Sequence, residues 1–106
     1  MSNVIEQPLK RSEVIVEDIQ TVDAEVSVPT DEEYALGTPL VSSDGGKTFS
    51  KAVDAEDVVV NGILGEYLSQ SGVANVLVTG EAVAKHIPDL TDRMQKSAFE
   101  NKIILV

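Results

Sequence analysis

The chain has 106 residues, of which 42% are hydrophobic and 4% aromatic, with a net charge of −10 and no cysteine. This length allows one domain with at most a flexible extension, and without cysteine there are no disulfides, thiol nucleophiles or thiolate metal sites. The acidic balance disfavours direct contact with nucleic acid, because phosphate repels it.

The first 33 residues are predicted to form an extended acidic arm ahead of the domain. They contain nine acidic and two basic residues, no glycine and no aromatic residue. Val22, Ala24, Val26 and Val28 alternate with polar residues, which is the period of a half-buried strand, and a looser alternation surrounds residues 14–16. Two interpretations stay open: the first strand of the domain itself, or a segment that orders by adding a strand to a partner's sheet edge.

Residues 34–106 are predicted to form a small β-rich domain of the α+β class. A short strand near residues 34–41 is followed by a turn at residues 42–46, where Asp44 precedes two glycines. Residues 47–53 then form the return strand of a hairpin.

The middle of the domain is predicted to contain two further strands. Asn61-Gly62 is either a tight turn or, as we favour, a bulge within one long bent strand over residues 58–68. Residues 73–79 form a buried strand that Gly80 closes.

The last quarter of the chain predicts a short amphipathic helix and a closing strand. Residues 81–87 are ambiguous between helix and strand. Residues 89–92 provide an N-cap, Asn101 suits a left-handed C-cap, and residues 103–106 are better explained as a strand locked into the core than as an exposed tail for a partner. The predicted core residues of this end are Leu90, Met94, Ala98, Phe99, Ile103 and Leu105.

No catalytic or ligand-binding motif is recognised. His86 is the only histidine and has no nucleophile motif beside it, and residues 54–57 lack the glycine and distal glutamate of an EF-hand. Gly46-Lys47-Thr48 lacks the first glycine of a phosphate loop, where Val41 stands. We therefore expect a protein that is not an enzyme and has no cofactor or metal. No run is long enough to span a membrane and the N-terminus lacks a signal-peptide segment, so we expect a soluble protein made in the cytoplasm.

Several landmarks follow one another in a recognisable order. They are Thr38-Pro39-Leu40, Gly62-Ile63-Leu64, Thr79-Gly80, Pro88, Lys96-Ser97-Ala98-Phe99 and the terminal Ile103-Ile104-Leu105-Val106. In order, spacing and total length, residues 35–106 resemble the head decoration proteins of tailed phages.

The resemblance implies a non-enzymatic capsid cement protein on the outer surface of the virion. Such a protein forms a homotrimer and binds the expanded head at three-fold and quasi-three-fold positions. Its partner is the major capsid protein, with no direct nucleic-acid or membrane partner, and its arm orders on the shell by adding a strand. The shell is thereby stabilised against the pressure of packaged DNA.

The arm of this chain is more acidic and richer in valine and isoleucine than the arms of that family. The residues expected to contact the capsid are Val14, Ile15, Val16, Val22, Ala24, Val26 and Val28. A truncation that removes residues 1–30 is expected to trimerise still but to lose head binding. Two alternatives remain, namely an acidic DNA mimic that inhibits a nucleic-acid-binding enzyme, and a generic β-rich virion interaction module.

Overall fold

The computed structural model describes residues 10–106, which form mostly strands in one mixed sheet with short helices. In chain order the elements are α1 (Arg11–Val14), β1 (Ile15–Val26), β2 (Pro39–Val41), β3 (Thr48–Lys51), β4 (Gly62–Leu64), β5 (Gly72–Ala82), a 3-10 turn (Ala84–His86), α2 (Asp92–Glu100) and β6 (Ile103–Leu105). This is a small β-rich α+β domain, as the sequence predicts.

β1 is part of the sheet. It pairs antiparallel with β5 from Ile15 opposite Ala82 to Val26 opposite Gly72, and its last two residues pair parallel with β3. The prediction of an arm outside the sheet is therefore wrong for residues 15–26, and the alternative of a first domain strand is correct there. Residues 1–9 of the predicted arm lie outside the described residues. The physical reason is that β5 of the same chain offers an edge on which the alternating apolar residues of β1 become buried.

Five strands close into a ring. The hairpin of β2 and β3 forms as predicted, with Leu40 opposite Lys51, β2 also pairs with β4, and β4 pairs with β5. Because β1 pairs with both β3 and β5, the ring is complete. β6 adds in parallel to β5 beyond the end of β4, starting with Ile103 opposite Gly80.

The hydrophobic core is divided between the two faces of this sheet, because neighbouring residues of a strand point to opposite faces. The first cluster receives a residue from every strand of the ring and fills its interior: Ala24, Val26, Leu40, Phe49, Leu64, Ala74 and Val76. The second lies between the sheet, α2 and β6: Ile63, Leu77, Ala82, Met94, Ala98, Ile103 and Leu105. β4 and β5 contribute to both clusters, so they form the wall that the two cores share.

β4 is only three residues long, so the predicted strand over residues 58–68 is wrong. Immediately ahead of β4, the Asn61 carboxamide accepts a hydrogen bond from the Ser42 N–H (2.8 Å) and donates one to the Ser42 carbonyl (2.9 Å). The N–H of Val60 donates to the buried hydroxyl of Ser97 at 2.9 Å. The backbone of Val60 therefore bonds to a side chain of α2 instead of a neighbouring strand.

The C-terminal elements agree with prediction except in two details. The Thr91 hydroxyl caps α2 by accepting from the N–H of Met94, and β6 closes the sheet. The left-handed residue after α2 is Lys102 (φ 69°), whereas Asn101 has φ −101°. Phe99 is 66% exposed, so its placement in the core is wrong. The helix directs Met94, Ser97 and Ala98 to the sheet and turns the next residue outward.

Candidate interaction surfaces

The residues expected to contact a capsid lie mostly in the domain's own core. Val14, Ile15, Ala24, Val26 and Val28 are buried. Val22 is only partly buried against the interior of the ring, and Val16 is 55% exposed, so these two remain accessible. The other five are corrected as contact residues, because their apolar side chains are already packed.

The predicted core of the C-terminal end lies where expected, apart from Phe99. Met94, Ala98, Ile103 and Leu105 are buried, and Leu90 packs partly buried against them.

The second edge of β1 is an open sheet edge. Over residues 16–24, which we call the β1 edge, no strand among residues 10–106 pairs opposite β5, since β3 reaches only Glu25 and Val26. Two large apolar side chains are exposed on this stretch, Val16 at 55% and Ile19 at 68%. Unpaired N–H and C=O groups on such an edge can pair with another chain.

The β1 edge is strongly acidic. β1 contains four acidic residues and no basic one, and all four carboxylates are exposed: Glu17, Asp18, Asp23 and Glu25. The surface therefore combines apolar side chains and negative charge along one strand. In the sequence, this surface is indicated by the acidic residues that are interspersed with apolar ones over residues 15–26. Ile19 was missed because it breaks the period of two.

Arg11 is the one nearby cation that contacts the β1 edge among the described residues. Its guanidinium donates to the Asp18 carboxylate at 3.2 Å and to the Asn75 side-chain oxygen at 3.0 Å. The Asn75 amide in turn donates to Asp23 at 3.2 Å. These contacts join the start of β1 to β5. Within residues 10–106, no lysine or arginine forms an ion pair with Glu17.

The β1 edge is bent at its start. The pairing with β5 changes register between Ile15 and Glu17 and again near Gln20, which marks bulges. Gly80 of β5 lies under the first bulge with φ +150°, and a β-carbon there would overlap the backbone oxygen of Glu17. The bend therefore depends on a glycine at residue 80.

A cleft of about 280 Å³, the β1 cleft, opens between β1 and the turn that joins β2 to β3. It exists because β1 separates from β3 ahead of Glu25 while the turn covers the opposite side. Its apolar lining is Val22, Phe49 and Val78, and its polar lining includes Gln20, Ser42 and Asn61.

The wall of the β1 cleft formed by this turn is held by Asp44. Its carboxylate accepts hydrogen bonds from the N–H groups of Lys47 (3.1 Å) and Thr48 (3.0 Å), from the Thr48 hydroxyl (2.6 Å) and from the Ser42 hydroxyl (2.8 Å). These donors, with the Thr48 hydroxyl contributing most, hold the pKa of Asp44 well below its usual range. The turn is thus ordered by the ionised carboxylate.

A second exposed apolar surface lies at the C-terminal end. Phe99 on α2, Ile104 on β6 and the terminal Val106 are exposed by 66%, 43% and 59%, and we call them the C-terminal apolar residues. The end itself is fixed, since the Val106 N–H donates to the Ala82 carbonyl and the Ala84 N–H donates to the Val106 carbonyl, both at 2.8 Å.

Residues 10–106 contain no cluster of histidine, aspartate and glutamate side chains arranged to hold a metal ion, and no helix in this described part is long and apolar enough to cross a membrane. The chain matches no family model, no curated protein and no solved structure.

Proposed function

We propose that the protein is a decoration protein of a tailed-phage capsid. It assembles as a trimer, binds the outside of the expanded head at three-fold and quasi-three-fold positions, and stabilises the shell against the pressure of packaged DNA. The resemblance of residues 35–106 to head decoration proteins motivates the proposal. The observation that carries it is the β1 edge, an open edge with two exposed apolar side chains.

The strand contributed to the shell is β1 as it stands in the domain. A strand of the major capsid protein pairs along the β1 edge, so that backbone hydrogen bonds supply affinity and alternate side chains supply specificity. Val16 and Ile19 lose their exposure to water in the complex, which favours binding at about 25 cal/mol for each Å² of apolar surface covered.

The C-terminal apolar residues support self-association. A domain of this size gains stability from assembly, and Phe99, Ile104 and Val106 offer apolar side chains that can be buried between copies. Three β1 edges on one trimer then engage neighbouring capsid subunits together, and effective concentration makes the sum much tighter than one contact.

Co-sedimentation with phage heads tests the proposal. We expect the protein to bind expanded heads of the encoding phage and not unexpanded ones. The double variant Val16→Ser, Ile19→Ser should weaken binding about tenfold or more, since each lost apolar contact is worth on the order of 1 kcal/mol. Val53→Ser is the matched control, because Val53 is 76% exposed and lines a separate cleft with Pro88 and Met94, to which β1 contributes no residue.

Two results would contradict the proposal. One is equal binding, or no binding, to both forms of the head. The other is a clean monomer in sedimentation equilibrium at micromolar concentration, which would remove the trimer and with it the multivalent mechanism.

A further inference from the structure

We infer that the β1 edge accepts a strand from another protein whose side chains include lysine or arginine at alternate positions and one apolar residue that enters the β1 cleft. The inference rests on the proposed function only for the source of that strand, the major capsid protein. The chemistry of the strand follows from the β1 edge and the β1 cleft themselves.

Charge selects a basic strand. The four carboxylates of β1 have no basic residue among them, and Arg11 is already bonded to Asp18 and Asn75. Cross-strand pairs of opposite charge stabilise a sheet, and like charges directly opposite destabilise it. Lysine or arginine on an added strand therefore gains partners in Glu17 and its acidic neighbours.

The same charges select against a second copy of this chain. Two β1 strands paired edge to edge would bring carboxylates near carboxylates in either direction, because no position of β1 carries a positive charge. Acidic side chains and bulges are established means of preventing edges from pairing with their own copies. Two copies of the β1 edge therefore do not pair with each other, whereas a basic strand can pair with the β1 edge.

The β1 cleft selects an apolar side chain. Its floor is Val22, Phe49 and Val78. Much of its polar lining is already satisfied, since Asn61 exchanges two hydrogen bonds with the Ser42 backbone and the Ser42 hydroxyl donates to Asp44. A polar group entering the β1 cleft would lose water with few partners in return, whereas an apolar one covers the partly exposed side chains of Val22 and Val78. Gln20 and Val22 belong to both the β1 edge and the β1 cleft, so one strand can occupy both.

Amide hydrogen exchange with two synthetic peptides tests the inference on the isolated protein. One peptide alternates valine with lysine and the other alternates valine with glutamate, both matched in length to residues 16–24. We expect the lysine peptide to slow exchange of amides in residues 16–24 and to bind about tenfold or more tightly than the glutamate peptide at low salt. The difference should shrink as salt is added. Equal effects of the two peptides, or no protection of residues 16–24 by either, would overturn the inference.

Two pairs of variants separate the charge from the cleft. Glu17→Lys with Glu25→Lys leaves β1 with two acidic and two basic side chains and should abolish the preference for the lysine peptide. Glu56→Lys with Asp57→Lys, which changes net charge equally in an exposed loop, should leave the preference unchanged. Gln20→Trp, which fills the β1 cleft, should weaken the lysine peptide about tenfold, while Gln70→Trp on the turn before β5 should not. An equal response within either pair would refute that part of the inference.

Exchange on the head-bound protein distinguishes this inference from the proposed function. Binding to expanded heads without protection of residues 16–24 would refute the strand acceptor and leave decoration intact. Failure to bind heads, together with selective protection by the lysine peptide, would refute decoration and leave the strand acceptor intact.

Discussion

Replacing Gly80 by alanine gives the sharpest test of how β1 joins the domain. Gly80 has φ +150°, a backbone conformation that residues other than glycine rarely adopt. Because glycine has no β-carbon, there is room here for the backbone of Glu17. The atom that a methyl group would overlap is a backbone oxygen. Relief therefore requires β1 to move away from β5 around Glu17 and Asp18.

The expected cost of Gly80→Ala is about 2–4 kcal/mol. A residue forced into this backbone region costs about 1–3 kcal/mol, and each backbone hydrogen bond lost when β1 moves costs a further 0.5–1.5 kcal/mol or so. A domain of this size has a stability of roughly 5–15 kcal/mol, and a change of 1 kcal/mol shifts the Tm by about 4–8 °C. We therefore expect the Tm to fall by about 10 °C or more.

Circular dichroism during thermal and urea unfolding measures this cost. Gly72→Ala is the control on the same strand, because a β-carbon at residue 72 would meet nothing within 4 Å. That variant should change the free energy of unfolding by less than about 1 kcal/mol, and can raise it by restricting the unfolded chain. If Gly80→Ala and Gly72→Ala unfold at the same temperature, the close crossing of β1 over Gly80 does not exist.

Three further predictions concern the turn, α2 and the first strand. Asp44→Asn should lower the urea midpoint at pH 7. The difference from the parent should begin to shrink only as the pH falls below about 4, and it should continue to shrink down to the depressed folded pKa, because the folded state keeps this carboxylate ionised well below the unfolded pKa. Met94→Ala should lower the free energy of unfolding by about 2–5 kcal/mol because the side chain is buried. Phe99→Ser should change the free energy of unfolding of the monomer by no more than about 0.5 kcal/mol. Equal losses for the two variants would contradict the orientation of α2. Deleting residues 1–30 should leave an unfolded chain by circular dichroism, since it removes β1, and a folded trimer would instead support the earlier expectation of a dispensable arm.

The strands and the helix could be predicted where pattern and caps agree. The alternation of Val22, Ala24 and Val26 correctly predicted a strand, and Thr91 lies where the helix cap was expected. The sequence did not decide which edge that strand joins, because a period of two specifies a buried face and carries no information about the neighbouring strand. The choice depends on β5, whose residues lie 46 to 67 positions after their partners in β1.

The sequence predictions were wrong at residues whose conformation depends on a contact with a distant part of the chain. Gly80 suggested the end of a strand, yet β5 continues to Ala82 and the glycine provides space for the bulge of β1. Asn61 suggested a bulge within a long strand, yet its side chain binds the Ser42 backbone. Phe99 follows the apolar stripe of α2 but faces solvent, because one residue of an α-helix turns the side chain by about 100°.

A strand already paired within the domain changes the energetics of binding proposed above. A disordered arm pays for its own ordering when it binds, whereas the β1 edge is held by β5 and by the Arg11 contacts before any partner arrives. The ordering cost then falls on the partner strand alone, which favours affinity through preorganisation. In the free protein the same arrangement leaves an exposed edge that could pair with other copies of the chain. The carboxylates of β1 prevent this pairing. One set of charges thus prevents self-pairing and defines the strand that can bind.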